Sequence, residues 1–347
     1  MRGLDGFEAD AEEQAQYFET HAHPTYADLL RALGPLFAEH PQIHARIAVA
    51  WKDREFHANY ERPLLFLAAL RRDAQARVDH PLRSVLGDAA GGSESVDRGA
   101  LALALGDEAP LYGALRDRFV QTNEVTRAIA WRLPLTRFEG EEVALVDLGC
   151  SAGLNLVADR APVWWVDGNG HGLYVADTGR IEARIGLDRA PVDLDDEDEL
   201  AWLRACLWPG QHERRTRFDA AVDAAKLAIS KGEMSLHAME AAEMPAWLER
   251  YSEANPGLVV LAFQTVLAEY LPPEVRRVYV DGMKAWLAGD PQSRLWAELE
   301  RAEDGRPGPA ELRAHFGDQS LILASCEYHP SVVNIDQPKL DELLFRA

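Results

Sequence analysis

The sequence predicts an α/β protein, with a helical N-terminal domain over residues 1–139 and a doubly wound sheet over residues 140–347. Before residue 140 the apolar residues recur at helical spacing. After it, short apolar runs alternate with helix-like segments, which is the pattern of a mainly parallel sheet with helices on both faces. The first of these runs ends in a glycine turn, GCSAG at residues 149–153, and open α/β sheets bind ligands at such positions.

The amino-acid composition indicates which classes of ligand and which compartment to expect. Asp and Glu number 57 against 36 Lys and Arg, which gives a net charge of −21. Nucleic-acid binding requires a basic surface, so we expect a small-molecule partner and no nucleic acid. No apolar run approaches the ~20 residues of a membrane helix. Three cysteines without C-x-x-C spacing indicate a reducing compartment, so we expect a cytoplasmic protein. The sequence does not indicate the oligomeric state.

Helical spacing predicts the elements of the first domain. Apolar residues recur at this spacing over residues 27–37 and 43–51. Residues 63–70 are apolar on almost every side, so we expect this helix at the centre of its bundle. Residues 87–110 are expected to form a mostly irregular connection. An amphipathic helix is predicted over residues 111–133, ending at a proline.

Apolar runs bounded by turn residues predict the strands of the second domain. The predicted strands are residues 143–146, 163–166, 181–185, 234–239 and 258–263, with a closing antiparallel hairpin from 320–326 and 332–335. Helices are predicted over residues 245–251 and 272–288, and the acidic run 193–199 is expected to open another. Residues 294–300 fit either a strand or a helix.

The glycine turn is typical of sites for nucleotide-type cofactors, because a backbone without side chains lets the ligand approach closely. Ser151 stands where a middle glycine is usual. The next strand should end in an acid for the ribose hydroxyls, and Asp188 has that setting. It lies 39 residues beyond Gly149 (188 − 149), against about 20 in a compact unit. An insertion over residues 164–172 would explain the interval, and Asp167 is the next candidate.

Four segments in order resemble the motifs of S-adenosylmethionine-dependent methyltransferases. Residues 147–153 (DLGCSAG) resemble their first motif, with Asp147 as its acid, and residues 235–245 resemble their third-strand segment. Residues 259–272 (VVLAFQTVLAEYLP) resemble their fourth strand and the loop that faces the methyl group. The resemblance implies a Rossmann-like methyltransferase sheet and S-adenosylmethionine as the cofactor. The cofactor-binding residues that it implies are Asp147, Gly149, Cys150, Ser151 and Gly153 at the methionine end, Asp188 at the ribose, Glu240 and Ala241 at the adenine, and Gln264.

More specifically, the chain resembles a bacterial group, domain-of-unknown-function family 2332, over nearly its whole length. The shared stretches are QTNEVTR at 121–127, GCSAGLNL at 149–156, GLDRAPVDL at 186–194, LWPGQ at 207–211 and FQTVLAEYLPP at 263–273. This resemblance implies a methyltransferase-like fold behind a helical N-terminal region and supplies no established reaction.

Residues 149–153 also match G-x-S-x-G, the nucleophile turn of α/β-hydrolases. Ser151 would then attack, with His329 as base and Asp281 as the acid. Hydrolases of this class have several strands before that turn, whereas the chain before residue 140 is predicted to be helical. An upstream His-Gly-Gly oxyanion segment is also missing from the sequence. A third alternative is that the turn serves packing alone, because folds of this class keep it when ligand binding is lost.

Other polar residues are candidates for the substrate pocket. Asn123 and Glu124 fall in the predicted helix before the sheet, where they would face the ligand or join the two domains by hydrogen bonds. Glu269 and Tyr270 follow the fourth strand, at the edge where ligands bind. If the methyl acceptor carries a proton, Glu124 or Glu269 would serve as base, and Tyr270 is the remaining catalytic candidate.

No metal site is predicted. His40 and His44 are four residues apart, and His21 and His23 two apart, but no cysteine or carboxylate cluster completes a ligand set. Together, these patterns favour an S-adenosylmethionine-binding enzyme that methylates a small or medium-sized molecule. The alternatives are a non-catalytic ligand-binding or regulatory protein on the same fold, and the serine hydrolase.

Overall fold

The computed structural model describes residues 4–106, 109–175, 180–302 and 309–345. Its contacts divide the chain into two compact units. The helical unit comprises Met1–Thr122 and Asp196–Thr216, and the sheet unit comprises Asn123–Asp195 and Arg217–Ala347. This division differs from the predicted boundary after residue 139, since residues 123–139 group with the sheet and residues 196–216 with the helices.

The α-helices of the described residues are, in chain order, α1 (Phe7–Thr20), α2 (Pro24–Arg31), α3 (Leu33–Glu39), α4 (Pro41–Trp51), α5 (Glu61–Ala76), α6 (Arg83–Leu86), α7 (Arg98–Ala104), α8 (Leu111–Asp117), α9 (Ile129–Arg132), α10 (Glu197–Ala205), α11 (His212–Ser230), α12 (Met244–Ala254), α13 (Pro273–Gly289) and α14 (Gln337–Phe345). Short 3-10 helices cover Val125–Ala128, Pro134–Phe138, Leu154–Arg160, Ala241–Glu243 and Ala268–Tyr270. Within the described ranges, no helix is both long and apolar enough to span a membrane.

The core of the helical unit is built around α5. Its residues 65–70 are all buried, which confirms the prediction that this helix is central. Trp202, within α10, and Cys206, directly after it, belong to the same core although they are distant from α5 in sequence. Burial of such apolar side chains is the main favourable term in folding, so α10 is an integral part of this unit.

The strands of the sheet unit are β1 (Val143–Leu148), β2 (Ile181–Asp188), β3 (Met234–Ala238), β4 (Val259–Thr265), β5 (Arg294–Arg301), β6 (Ala310–Phe316), β7 (Gln319–Cys326) and β8 (Val333–Ile335). They form one sheet in the order β3-β2-β1-β4-β5-β6-β7-β8. Neighbours from β3 to β5 are parallel, and those from β5 to β8 are antiparallel. The predicted strands at 143–146, 181–185, 234–239 and 258–263 and the closing hairpin are confirmed.

Helices cover both faces of the parallel strands, which confirms the doubly wound prediction. Val260 and Ala262 of β4 pack in one apolar cluster with Met283 of α13. On the other face, the ring of Trp131 in α9 lies 6.5 Å from that of Phe263. Because both faces are buried, these strands have continuous apolar sequences instead of alternating ones.

The strand order places a ligand-binding edge at the carboxyl ends of β1 and β4. The chain goes from β1 to one neighbour, β2, and later returns to the other side of β1 as β4. This reversal leaves a crevice outside the carboxyl ends of the two strands, where open α/β sheets bind ligands. Since β6 and β7 are antiparallel in succession, β7 also ends at this edge, which we call the carboxyl edge.

The predicted continuous helix over residues 111–133 is wrong. Helix α8 ends at Asp117, and helical structure resumes only at the 3-10 helix Val125–Ala128. Arg54 supplies a physical reason, because its Nη1 donates to the carbonyl oxygens of Leu115, Arg116 and Arg118 and so closes the C-terminus of α8. A partner about 60 residues away in sequence cannot be predicted from helical spacing.

The structure corrects other elements. Residues 163–166 form no strand beyond a bridge at Val166, whose N–H donates to Ser331 O at 3.0 Å and whose carbonyl accepts from Val333 N–H at 2.9 Å. Residues 87–110, predicted to be mostly irregular, include α7, which begins where the Asp97 carboxylate accepts from Ala100 N–H. Strand β6 and helices α11 and α14 were not predicted, and residues 294–300 form a strand.

Candidate functional site

The glycine turn curls tightly at the end of β1. Gly149, Ser151 and Gly153 have φ values of 82°, 52° and 68°, all in the left-handed region. The N–H groups of Gly149 and Cys150 both donate to Leu187 O, at 2.8 and 3.2 Å. The turn is therefore held against the end of β2.

A side chain at either outer glycine of this turn would meet the ends of neighbouring side chains. A Cβ on Gly153 would lie 2.3 Å from Met234 Cε and 2.9 Å from Leu236 Cδ2. A Cβ on Gly149 would lie 2.9 Å from Leu267 Cδ1. Because the left-handed backbone conformation already favours glycine, the two glycines do not by themselves indicate a ligand.

Asp188 is the last residue of β2 and contacts the turn directly. Its Oδ2 accepts from Ser151 N–H at 2.8 Å and its Oδ1 from Ala190 N–H at 2.9 Å. Part of the long interval from Gly149 consists of residues 161–175, which follow the 3-10 helix Leu154–Arg160 and form no strand beyond the bridge at Val166. An acid predicted for the ribose thus lies beside the turn predicted for the cofactor.

Asp167, the second ribose candidate, lies in a separate turn. Its Oδ1 accepts the N–H groups of Asn169 and His171, each at 2.8 Å. These bonds, His171 N–H first, lower the pKa of the Asp167 carboxyl. Since Asp167 stabilises its own turn, Asp188 is the better placed of the two.

Asp147, near the end of β1, is the most unusual group at the turn. Its side chain is 2% exposed, and its Oδ2 has no hydrogen-bond partner among the described residues. Burial, and secondly the charge of Asp188, raise the pKa of Asp147 well above its usual value. A buried carboxyl without a donor is costly when ionised, and a cationic group placed beside it would remove that cost.

The side chain of Cys150 contributes packing. It is buried, and burial together with Asp147 and Asp188 raises the pKa of its thiol well above the usual value. Such a thiol stays protonated and unreactive.

Glu240 and Ala241, predicted at the adenine, follow β3 at the start of the 3-10 helix Ala241–Glu243. Glu240 and Glu243 form a reciprocal capping box, in which the Glu240 N–H donates to Glu243 Oε2 at 3.3 Å. Ala241 is buried and Glu240 is exposed. Their predicted contact with a cofactor stays a prediction.

Gln264 lies in a buried hydrogen-bond network between β4 and its neighbours. Its Nε2 donates to Glu300 Oε1 at 2.6 Å, and its Oε1 accepts from the Tyr279 hydroxyl and from Trp296 Nε1. The amide is therefore already bonded within the protein, and its predicted role toward the cofactor stays a prediction.

Sequence reasoning missed Glu300, which organises the loop after β4. Its Oε1 also accepts from the N–H groups of Leu267 and Ala268, at 2.9 and 3.1 Å. The preceding Val266 has φ = 57°, a strained conformation for a β-branched residue. Burial raises the pKa of Glu300 to about 7. The available sequence signal was an acid near the end of an apolar strand, at the carboxyl edge.

Asn123 and Glu124 lie before the 3-10 helix Val125–Ala128, so their predicted helical placement is wrong. Glu124 is buried, and its Oε1 accepts from Thr126 N–H and Oγ1–H at 3.2 and 2.8 Å. The same oxygen lies 3.6 Å from Arg217 Nη2, and Oε2 lies 3.5 Å from His329 Nδ1. Glu124 therefore contacts two basic side chains of the sheet unit, those of Arg217 and His329.

Arg127 is a second residue that sequence reasoning missed. It is 6% exposed, and its Nε donates to Tyr328 O at 2.8 Å. Burial lowers the pKa of its guanidinium, while nearby Tyr270, Glu124 and Glu300 oppose that effect. The QTNEVTR stretch contains Arg127, but an arginine on a short helix carries no sequence sign of burial.

Glu269 and Tyr270 lie in the 3-10 helix Ala268–Tyr270 after β4, at the carboxyl edge as predicted. Tyr270 is 41% exposed. Their catalytic roles stay predictions.

One feature supports the hydrolase alternative, but the carboxylate beside its proposed base is not the one predicted. The left-handed Ser151 resembles the strained serine of a nucleophile turn. His329, however, has Glu124 as its nearby carboxylate, and Asp281 is exposed on α13. Among described residues before β1 there is no strand.

No group of three or more His, Cys, Asp or Glu side chains in the described part of the chain is arranged to hold a metal ion. His40 precedes α4 as its N-terminal cap residue, and His44 lies within that helix.

The strand order and the turn at its reversal point define a doubly wound, Rossmann-like α/β protein. The chain belongs to the bacterial family described as "Uncharacterized protein conserved in bacteria", domain-of-unknown-function family 2332, which matches residues 8–334. The predicted family resemblance is confirmed.

Solved structures with similarity to the chain include two methyltransferases. The bifunctional kinase-methyltransferase WbdD is 15% identical, with a TM-score of 0.26, over 54% of this chain and 30% of that chain. The calicheamicin methyltransferase CalS11 is 16% identical, with a TM-score of 0.29, over 63% of this chain and 90% of that chain. This chain therefore spans under a third of WbdD. No curated protein matches the sequence.

Proposed function

We propose that this protein binds S-adenosylmethionine at the glycine turn and transfers its methyl group to a small or medium-sized molecule at the carboxyl edge. The observation that carries the proposal is Asp147, a buried carboxyl without a hydrogen-bond donor among the described residues, directly before the turn. S-adenosylmethionine carries an ammonium and a sulfonium group, and either would offset the unfavourable burial of an ionised Asp147.

The other parts of this cofactor are assigned to the turn and to residues at the ends of the neighbouring strands. Asp188 bonds to the turn through Ser151 N–H, and carboxylate oxygens have further lone pairs for ribose hydroxyls. Glu240 and Ala241 follow β3, the strand beside β2, where the adenine would lie. Gly149, Cys150, Ser151 and Gly153 would surround the methionine end, and Gln264 would contribute through the buried network that supports the loop after β4.

The cofactor supplies an electrophilic methyl group, and the protein has to hold the acceptor in line with it and exclude water. Glu124 and Glu269 are the candidate bases for an acceptor that carries a proton. Tyr270 and Asn123 would line the acceptor side. The proposed compartment is the cytoplasm, in keeping with three buried free thiols, Cys150, Cys206 and Cys326.

Binding of S-adenosylmethionine and its demethylated product tests the proposal. We expect both to raise the melting temperature and to bind in calorimetry. Because burial raises the pKa of Asp147 in the unliganded protein, pairing with an ammonium should lower that pKa and favour release of a proton, so affinity should rise with pH. Asp147→Asn should abolish the proton release and weaken binding about 10- to 100-fold, the loss of one charge-assisted hydrogen bond.

Asp281→Asn is the matched control, because Asp281 is exposed on α13. This variant should bind the cofactor like the unmodified protein. If neither form of the cofactor stabilises the protein up to about 1 mM, the binding proposal fails. Normal binding by Asp188→Ala would refute the ribose assignment alone.

The left-handed backbone conformation of Ser151 supports serine hydrolysis as a second candidate function. A fluorophosphonate probe that labels the protein, but not Ser151→Ala, would establish it. If the protein binds S-adenosylmethionine but transfers no methyl group to any acceptor in a metabolite pool, the non-catalytic alternative is favoured.

A further inference from the structure

We propose that Arg127, with Asn123, forms a binding site for the carboxylate of an anionic acceptor at the carboxyl edge of the sheet. Arg127 is 6% exposed and forms no ion pair with the described residues. Asn123 is 7% exposed, and its Nδ2 has no acceptor among them. Within the described ranges, Asn123 Nδ2 is thus a buried donor without an acceptor, which is rare in folded proteins. The buried Arg127 guanidinium near it in sequence donates through Nε to the carbonyl of Tyr328 but pairs with no carboxylate of those ranges.

The charges around Arg127 leave room for one further negative charge. Arg127 and Arg217 are the cations, and Glu124 pairs with Arg217 at 3.6 Å. Glu300 is the other nearby carboxyl, and burial raises its pKa to about 7. Below about pH 7, where Glu300 is mainly protonated, these four groups have a net charge of +1, and a bound carboxylate would neutralise it.

The position of Arg127 favours the acceptor over the cofactor as the source of the carboxylate. The glycine turn and Asp188 lie at the ends of β1 and β2. The neighbours of Arg127 lie on the other side of β1, since Tyr270 follows β4, Glu300 is in β5 and Tyr328 follows β7. Adjacent strands are spaced about 4.8 Å apart, so β5 is about 10 Å from β1.

A carboxylate fits this site better than a phosphate. The planar guanidinium can donate two parallel hydrogen bonds to a carboxylate. A phosphate dianion would add a second negative charge beside Glu124, within a protein whose net charge is −21. The inferred ligand is therefore a monocarboxylate. Its role as methyl acceptor rests on the proposed function, but the anion site itself does not.

The test is calorimetry with acetate, benzoate and glycine against the full chain, alone and saturated with S-adenosylhomocysteine. At least one acid should bind with both forms, and its neutral amide and inorganic phosphate should bind at least about 10-fold more weakly. Arg127→Met should weaken the acid about 10- to 100-fold, while Arg127→Lys keeps part of the affinity. Arg277→Gln, a change at an exposed arginine of α13, should have no effect.

The outcomes separate this proposal from the cofactor proposal. S-adenosylhomocysteine should bind Arg127→Met normally. If that variant loses S-adenosylhomocysteine, or if S-adenosylhomocysteine displaces the acid, the carboxylate belongs to the cofactor and the acceptor proposal is overturned. It is also overturned if no acid binds up to about 50 mM, or if a folded Arg127→Met, judged by circular dichroism, binds the acid unchanged. Absence of S-adenosylhomocysteine binding would refute only the cofactor proposal.

Discussion

Two buried carboxyl groups near the carboxyl edge, Asp147 and Glu300, differ in what surrounds them. Asp147 has no donor to its Oδ2 among the described residues, whereas Glu300 Oε1 accepts from Gln264, Leu267 and Ala268. Donors stabilise the ionised form and so limit the rise of the Glu300 pKa. The first carboxyl is suited to receive a cation, and the second to hold a loop.

Glu300 should make the free energy of unfolding depend on pH. Its pKa is raised from 4.5 to about 7, so the folded protein holds this proton more tightly than the unfolded chain. Stability from this group is therefore present below pH 4.5 and is lost as the pH rises through about 7, by a total on the order of 3 kcal/mol. Glu300→Gln should flatten the dependence in urea unfolding between pH 4.5 and 8.

The control for that prediction is Glu274→Gln, which removes the same charge from an exposed side chain of α13. It should leave the pH dependence unchanged. A Glu300→Gln protein with the same slope as the unmodified protein would show that Glu300 does not titrate in this range.

At the scale of elements, the glycine turn can be tested against a matched position. Gly153 and Gly232 have nearly equal φ values, 68° and 71°, but only at Gly153 would a Cβ meet other atoms. Gly232→Ala should cost about 1 kcal/mol, the conformational penalty alone. Gly153→Ala should cost about 2 kcal/mol or more, because the ends of the Met234 and Leu236 side chains must also move. Urea unfolding measures both, and equal costs would contradict this account of the turn.

The sequence predicted the elements whose signals are local. The apolar runs of β1 and β4 and the all-round apolar α5 were identified because burial on every side leaves a continuous apolar stretch. Strand β6 was missed because Glu311, Arg313 and His315 interrupt its apolar residues.

The candidate site was predictable in part for the same reason. The turn and Asp188 follow strands that can be identified from the sequence. Glu300 and Arg127 could not be identified, because their importance comes from burial and from neighbours distant in sequence. Arg127, for example, bonds to the carbonyl of Tyr328, 201 residues away.

At the scale of the whole molecule, the helical unit is discontinuous in sequence, which predicts how fragments behave. Residues 1–139 alone lack α10, whose Trp202 is 3% exposed and donates to Phe119 O at 2.8 Å. They also lack Asp198 and Glu199, the partners of Arg118. Loss of one large buried side chain costs about 3–5 kcal/mol, a large share of the 5–15 kcal/mol that stabilises a typical domain.

We therefore expect fragment 1–139 to lack a cooperative thermal transition and fixed aromatic signals in near-ultraviolet circular dichroism. A peptide of residues 190–216, added in excess, should restore both. A scrambled peptide of the same composition is the control. Cooperative melting of the fragment without the peptide would support the boundary after residue 139.

The bridge at Val166 has a consequence for biosynthesis. The hydrogen bonds that hold this residue involve Ser331 and Val333. After Val166 is added to the growing chain, 167 further residues (333 − 166) must be translated before both partners exist. At ~5–20 residues per second this takes on the order of 10–30 s. During that time Val166 lacks this anchor on the ribosome, although β1 has already been made and β2 is complete after only 22 of those residues (188 − 166).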